Sequence, residues 1–335
     1  MNQNSIKGHL AALITISIWA TTYISTKILL EAFRPIEILV FRFIMGYFVL
    51  LLVCPKKLKT KSAKQEITFM AAGFCGICLY YLLENIALTY TMASNVGVII
   101  SIAPFFTAVL AHFLIKREGK ITKFFVIGFV VAMMGIGFIS FNGAKMEINP
   151  IGDLLAVLAA IVWALYSLLT RKISEYGYSV ILSTRRTFFY GILFMLPTLF
   201  WTDFTWGFER FSNMIYLYNL IYLGVGASAL CFVTWNFAVK VLGAVKTSVY
   251  IYLVPVITVV TSSIILNEKL TVLSVIGTIL TMSGLFLSEY KKGCGNNNNS
   301  DDDELNDEYY SGCYIIDTNV FLDKPDIFLV RLHDI

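Results

Sequence analysis

The chain has 335 residues, of which 57% are hydrophobic and 14% are charged, and its formal net charge at pH 7 is +4. Soluble domains carry roughly 25% charged residues, so this composition excludes an ordinary soluble domain and favours a protein embedded in a membrane. The six cysteines and three histidines show no repeated metal-ligand spacing, and no glycine-rich lysine motif for ATP phosphates occurs. The sequence therefore predicts no metal site, no cofactor and no ATP-driven pump.

Apolar segments follow one another along the first 290 residues, and most have the ~20 residues that a helix needs to cross a bilayer. Backbone polar groups cannot stay unpaired in lipid, so each segment is predicted to be a helix. None has the polar outer face of a helix in a soluble core. The ten segments cover residues 8–27, 36–54, 67–88, 93–115, 121–141, 152–170, 179–200, 214–239, 245–266 and 270–290.

The second five segments repeat the first five. The string GHLAALITISIWATTYISTK from Gly8 aligns with GDLLAVLAAIVWALYSLLTRK from Gly152 at an offset of 144 residues, and Pro104 aligns with Pro255 at an offset of 151. Five is an odd number, so the second copy enters the membrane from the opposite side, as in transporters with inverted repeats. We therefore predict an all-α integral membrane protein of ten transmembrane helices, built as two inverted five-helix repeats over residues 8–141 and 152–290.

Lysine and arginine residues in the loops set the orientation. With the N-terminus inside, the inner segments hold 16 basic residues and the outer segments hold 5. We predict a multi-pass protein of the cytoplasmic membrane with both termini in the cytoplasm. Residues 1–292 carry 24 basic and 12 acidic residues. This excess follows the positive-inside rule, so it does not indicate a surface for nucleic acid.

Aromatic and charged residues deep in the segments are candidates for substrate binding. Trp19 and Trp163 each stand twelfth in the first segment of their repeat, close to the bilayer midplane. Such a tryptophan either packs between helices or lines a cavity. Arg42 and Arg186 stand at matching positions roughly 9 Å below opposite faces, where a charge faces a cavity or a partner. We predict one central cavity, and its further candidate residues are Tyr23, Asn85, Ser101, Tyr166, Trp235, Asn236 and Tyr250.

Glu84 lies deep in the third segment, in the same outer half of the bilayer as Arg42. Two interpretations stay open for this pair. In the first, the two side chains form a structural ion pair that neutralises both charges. In the second, Glu84 binds and releases a proton while Arg42 holds a substrate carboxylate. Protons are therefore the candidate coupling ion.

Pro104 and Pro255 stand in the middle of the fourth and ninth segments. A proline within a helix removes one hydrogen bond and frees a carbonyl that a polar ligand could use. Each proline is therefore a candidate hinge. The alternative is a static kink whose free carbonyl bonds to a neighbouring serine or threonine.

Four strings in the repeated part of the chain resemble the drug/metabolite transporter superfamily, in its ten-helix branch with paired EamA domains. The resemblance covers roughly residues 8–290. It implies a two-bundle fold of inverted repeats that moves small organic metabolites, often amino acids, by alternating access. We therefore predict a secondary transporter for efflux of an amino acid or related compound, which is not an enzyme and whose partners are the lipid bilayer and its substrate. The strings are IWATTYISTK at 18–27, VWALYSLLTRK at 162–172, ENIALTYTMASNVGVIISIAPFFTAVLA at 84–111 and YLVPVITVVTSSIILNEKLT at 252–271.

The tail differs in composition from the repeats. Residues 293–313 form an acidic, asparagine-rich stretch that is typical of a linker. Residues 314–335 begin with YIIDTNVF and resemble the first strand of a PIN nuclease domain, as found ahead of PhoH-type ATPases, in which Asp317 would help to bind a metal ion. One carboxylate cannot assemble a two-metal site, so this truncated fragment predicts no nuclease on its own.

Two other functional classes stay as alternatives to a transporter. A membrane-anchored nuclease would need the PIN-like domain to be complete. A membrane-embedded enzyme would need acids, histidines or a nucleophile clustered near one face, and the sequence shows no such cluster.

The predicted topology can be tested with reporter fusions. Fusions after Lys64, Lys123 and Lys292 should report the cytoplasm, and fusions within 142–150 should report the outside, because the basic loops stay inside. The measurement is the activity of an alkaline phosphatase and a green fluorescent protein fused at each point, since the two reporters are active on opposite sides. Labelling of 55–66 and 142–150 from the same side would contradict the inverted arrangement.

Overall fold

The fold is that of a computed structural model, which describes residues 3–90, 93–114, 122–140, 149–200, 204–265 and 272–289. These residues form helices joined by turns, and this part of the chain contains no strand. The prediction of an all-α protein is therefore confirmed for it. The predicted linker 293–313 and the PIN-like fragment 314–335, with Asp317, lie outside the described residues.

The described residues form fourteen α-helices, together with three 3₁₀ segments (Leu196–Phe200, Phe208–Ser212 and Val249–Tyr252) and two π-helical segments (Phe74–Leu79 and Tyr222–Leu230). In chain order the α-helices are α1 (Gln3–Leu29), α2 (Pro35–Val53), α3 (Ala63–Gly73), α4 (Tyr80–Tyr90), α5 (Ala93–Ile100), α6 (Ala103–Leu114), α7 (Lys123–Ser140), α8 (Pro150–Glu175), α9 (Val180–Met195), α10 (Met214–Ile221), α11 (Cys231–Leu242), α12 (Ala244–Ser248), α13 (Leu253–Ile265) and α14 (Val272–Glu289).

The helices are those of a multi-pass membrane protein. By length and composition, five helical stretches of the described chain are long and apolar enough to cross a membrane, and shorter apolar helices accompany them. Large apolar side chains such as Phe48 and Leu52 are exposed on the outside of the bundle, as lipid-facing residues are. The count of ten crossings and their inversion stay predictions. The five long stretches are Asn4–Leu29, Pro35–Val53, Ala63–Tyr90, Pro150–Glu175 and Met214–Leu242.

Local sequence signals explain where α8 begins and α11 ends. The Asn149 side chain accepts hydrogen bonds from the backbone N–H groups of Ile151 and Gly152, both at 3.2 Å, and Pro150 takes the first helical position. Gly243 follows α11 with φ of 88°, a backbone conformation that side chains disfavour. This glycine lets the chain pass from α11 into α12 through a single residue.

The two prolines do not interrupt continuous helices, which differs from the prediction. In the fourth segment α5 ends at Ile100, and Pro104 is the second residue of α6. In the ninth segment the 3₁₀ turn Val249–Tyr252 precedes α13, and Pro255 is the third residue of that helix. The first turn of a helix has no partner for its N–H groups, so a proline there costs no hydrogen bond. Both segments are thus divided before their proline.

Helix α8 lies at the centre of the bundle. It packs against α3, α4, α5, α6 and α11, which come from both predicted repeats. Trp163 and Tyr166 of α8 are buried in a core that also contains Phe43, Phe188 and Phe232. Helices from both predicted repeats therefore position the residues of α8.

Helices α7 and α14 form the tightest described pair, because small residues let their backbones approach. A methyl group added to Gly128 would lie 2.6 Å from the carbonyl oxygen of Gly284, which is too close for a carbon atom. A methyl group on Gly135 would be similarly close to Thr281, at 2.5 Å from its backbone nitrogen. A methyl group on Gly137 would meet no neighbouring atom within 4 Å.

Replacement of Gly128 by alanine should therefore destabilise the folded protein. The added methyl group forces α7 and α14 apart, and overpacking of this kind costs about 1–3 kcal/mol. Gly137→Ala is the matched control, because it adds the same group on the same helix without a neighbour within 4 Å. Thermal unfolding of the detergent-purified variants measures the difference, and equal midpoints for the two variants would contradict the close packing.

Candidate functional site

A narrow cavity lies between α1, α4 and α8, next to the interruptions in the fourth and ninth segments. Its volume is about 30 Å³, far below the roughly 300–1,000 Å³ of typical small-molecule sites. The lining residues are Ile16, Trp19, Thr22, Tyr23, Tyr80, Tyr81, Glu84, Ile100, Trp163, Ile251 and Val254.

Tryptophan rings from both predicted repeats form one wall. The ring centroid of Trp19 lies 5.2 Å from that of Trp163 and 5.2 Å from that of Trp235. The Trp19 indole N–H donates to the carbonyl oxygen of Ala227 at 2.9 Å, within the second π-helical segment. The indole nitrogens of Trp163 and Trp235 are buried and find no hydrogen-bond partner among the described residues. The Trp163 nitrogen therefore offers a free donor in the cavity wall.

Glu84 is the charged residue of the cavity lining. Its side chain is buried, and Tyr80 stands four residues earlier on the same helix and also lines the cavity, as does Tyr23. The carboxylate oxygen Oε2 has no partner in the described part of the chain. A buried acceptor without a partner is costly, so this oxygen favours a ligand that donates to it.

Arg42 lies behind the cavity wall and not in it. Its Nε donates to the Ser228 hydroxyl at 3.0 Å, and its guanidinium carbon lies 4.5 Å from the ring centroid of Tyr81. Within the described residues, Arg42 and Glu84 form no ion pair at 4 Å or less. A direct contact between the two charged groups is therefore absent from these residues, and the choice between the two interpretations of Glu84 stays a prediction. Tyr81 lines the cavity itself and contacts the guanidinium by a cation–π interaction.

Arg186 is not brought to the cavity either. Its Nε donates to Glu66 Oε1 at 2.8 Å, and the hydroxyl of Tyr190 donates to the same oxygen. These residues lie beside an open groove of about 560 Å³ near the start of α3. The neighbouring Arg185 is buried and donates to the carbonyl oxygens of Cys54 and Lys56, just past the end of α2.

A second ionic network lies at the other end of α2. Glu37 in the first turn is buried and pairs with Arg210 at 2.7 Å. The backbone N–H and the hydroxyl of Thr205 both donate to Glu37 Oε1 at 2.9 Å. This network fastens the segment before α10 to α2, and the Arg210 guanidinium also stacks over Phe33. The first turn of α2 is thus held by an arginine–carboxylate pair, whereas the chain just past its other end is held by Arg185 through backbone carbonyl oxygens.

Other predicted cavity residues bond to one another or to the backbone. Tyr166 donates to Asn236 Oδ1 at 2.9 Å, and Asn236 donates to Thr184 at 2.9 Å, which joins α8, α11 and α9. Asn85 donates to the Pro35 carbonyl oxygen at 3.4 Å. Three contacts of the remaining residues complete the set: Ser101 to the Gly97 carbonyl oxygen at 2.7 Å, Tyr250 with His9 at 2.5 Å, and Trp235 with Trp163 at 5.7 Å between ring centroids.

The structure thus brings Trp19, Tyr23, Glu84 and Trp163 together at one cavity. Sequence reasoning missed Tyr80 and Tyr81, which are also part of the lining. A signal for Tyr80 was present, because residues four positions apart lie on the same face of a helix, as Tyr80 and Glu84 do.

Known proteins that resemble this chain are membrane transporters by family or by name, which agrees with its apolar helices. The model of the EamA-like transporter family matches residues 6–141 and 150–290. An "uncharacterized transporter" of Archaeoglobus fulgidus is 27% identical over 85% of this chain and 98% of the relative. One of Clostridium kluyveri is 29% identical over 84% of this chain and 93% of the relative.

One relative carries a more specific description. The "probable terminal-alkyne amino-acid exporter" of Streptantibioticus cattleyicolor is 23% identical over 83% of this chain and 91% of the relative. A crystal structure with 16% identity matches 84% of this chain and 97% of its own with a TM-score of 0.65, which supports the fold alone. The predicted family is confirmed by the family match, and the names of the relatives point to transport and not to catalysis. The chain belongs to the EamA-like transporter family of multi-pass membrane proteins.

Proposed function

We propose that the protein is a secondary transporter that exports a small organic metabolite, an amino acid or related compound, across the cytoplasmic membrane. The observation that carries the proposal is the cavity between α1, α4 and α8, with aromatic walls and a free carboxylate oxygen. The relative described as a probable amino-acid exporter supports both the substrate class and the direction. Binding sites for small organic molecules combine apolar walls with a few polar groups in this way.

The proposed architecture is ten crossings in two inverted repeats. Irregular elements at matching places support it. The π-helical segment Phe74–Leu79 precedes α4, and the π-helical segment Tyr222–Leu230 precedes the corresponding α11. The fourth and ninth segments are both divided next to the cavity. Transporters with inverted repeats carry discontinuous helices at a midplane site of this kind.

The small volume of the cavity supports alternating access. A space of about 30 Å³ cannot admit an amino acid, so helices have to separate for entry and release. In the proposed topology, the Glu37–Arg210 pair lies on the outer side and the Glu66–Arg186 pair on the inner side. The first pair joins α2 to the segment before α10, the second joins α3 to α9, and each has to open in one of the two access states.

Replacement of Trp163 by phenylalanine tests the cavity as a substrate site. The change keeps an aromatic ring and removes an N–H group that has no protein partner, while the smaller ring leaves a gap in the buried ring cluster that lowers stability somewhat. If the N–H bonds to substrate, the KM of transport should rise about threefold to tenfold, the effect of about 1 kcal/mol. Transport by reconstituted liposomes against an amino-acid panel gives the KM.

The control is Trp206→Phe, since Trp206 is exposed and lies away from the cavity. It should leave both KM and stability unchanged. An unchanged KM in the Trp163 variant would mean that this indole N–H does not bind substrate.

Neutralising one acid of each pair should open the protein on the corresponding side. A single cysteine introduced as Thr22→Cys in a background without the native cysteines reports access to the cavity, which Thr22 lines. Glu37→Gln should increase its labelling by an impermeant thiol reagent from outside several-fold, and Glu66→Gln should do so from inside. Loss of one partner leaves the arginine charge unpaired, which weakens the closed end.

The matched controls are Glu209→Gln and Glu175→Gln, because both acids are exposed and near the respective ends. They should not change labelling. Increased labelling from the same side in both test variants would contradict the assignment of the two pairs to opposite sides.

A further inference from the structure

We infer that the cavity recognises an ammonium group, so that the transported compounds are organic amines, bound without a partner for a carboxylate. This inference rests on the proposed function and adds the chemical class to it. Amino acids belong to the class through their amino group alone. Their esters, which have the ammonium group and no carboxylate, are then bound at least as tightly.

The first observation is the charge of the lining. Glu84 is buried, lines the cavity and has one carboxylate oxygen without a partner in the described residues. The other lining residues are aromatic, aliphatic or hydroxyl-bearing. An ammonium group at this oxygen would supply the missing donor and balance the charge. A substrate carboxylate at the same place would be repelled.

The second observation is the aromatic enclosure. Five of the lining side chains are aromatic, and the Trp163 ring centroid lies 4.7 Å from that of Tyr80, which stands four residues before Glu84 on α4. Faces of tryptophan and tyrosine attract cations, and enclosures of such rings bind alkylammonium groups. The free N–H of Trp163 provides a donor for an uncharged oxygen of the same ligand, such as that of an ester.

The third observation is the position of Arg42, the charged residue that could have bound a carboxylate. Its Nε is bonded to Ser228, and its guanidinium group lies against Tyr81 and Phe43, at 4.5 and 5.2 Å from their ring centroids. It is not part of the cavity lining. Its Nη2 has no hydrogen-bond partner among the described residues, but the guanidinium group lies over the ring of Tyr81, and Tyr81 rather than Arg42 lines the cavity.

A matched set of ligands separates the two charged groups of an amino acid. For each aliphatic amino acid we would titrate the purified wild-type protein with the free amino acid, its methyl ester and its N-acetyl derivative. The readout is intrinsic tryptophan fluorescence, to which Trp19 and Trp163 in the cavity wall contribute two of the five tryptophans of the chain. We expect the methyl ester to bind at least as tightly as the amino acid, and the N-acetyl derivative to bind at least tenfold more weakly.

Variants at Glu84 then test whether this residue causes the tighter binding of the ester than of the N-acetyl derivative. Glu84→Gln should weaken binding of the ester at least tenfold, and Glu84→Asp should keep part of it because the charge is retained. Glu209→Gln is the control for removal of an exposed acid and should bind like the wild type. If Glu84→Gln does not fold, the comparison of the three ligands on the wild type still decides the inference.

The outcomes distinguish this inference from the proposed function. Tighter binding of the N-acetyl derivatives than of the esters would overturn the ammonium site, while transport of amino acids in liposomes would keep the proposed function. Wild-type affinity of Glu84→Gln for the ester would also overturn it. Absence of both binding and transport for every compound in the set would overturn the inference and the proposed function together.

Discussion

The need to hydrogen-bond every backbone group in lipid decides where this structure can be irregular. A helix satisfies its own backbone, so interruptions are tolerated only where protein covers them. The last residue of α5, Ile100, and Ile251 in the 3₁₀ turn before α13 both line the cavity, next to the two interruptions. The first π-helical segment ends directly before Tyr80, and the Ala227 carbonyl oxygen in the second accepts the Trp19 N–H. The irregular backbone therefore surrounds the cavity.

The same low-dielectric surroundings govern the charged side chains. Arg42 is buried, and part of its hydrogen-bonding capacity is used by Ser228 while Tyr81 covers its face. Glu84 is also buried, and both residues keep one polar atom without a partner in the described residues, Nη2 of Arg42 and Oε2 of Glu84. The two differ in position, because Glu84 lines the cavity and Arg42 does not.

Much of this arrangement could be predicted from the sequence, because periodicity and membrane depth are local properties. Apolar runs predicted the helices. Trp19 and Trp163 each stand twelfth in their segment, which predicted that they lie at the same depth in the bilayer. Depth does not give the direction of a side chain around its helix. Arg186 stands at the depth that matches Arg42, yet it pairs with Glu66, a partner 120 residues away in sequence. Tyr166 and Asn236 likewise bond to each other, because buried polar groups take the nearest partner.

Differences between the two predicted repeats explain why the cavity is polar on one side. At an offset of 151 residues, Tyr80 corresponds to Cys231 and Glu84 corresponds to Trp235. Tyr80 and Glu84 line the cavity, whereas Cys231 and Trp235 do not, so its carboxylate comes from one repeat alone. In the proposed architecture, duplication supplies the frame with matching helices and interruptions, and substitution at a few positions supplies the charge. The ligand proposed above would have its ammonium group at the carboxylate and its remainder against aromatic rings, so residues that differ between the repeats would set its orientation.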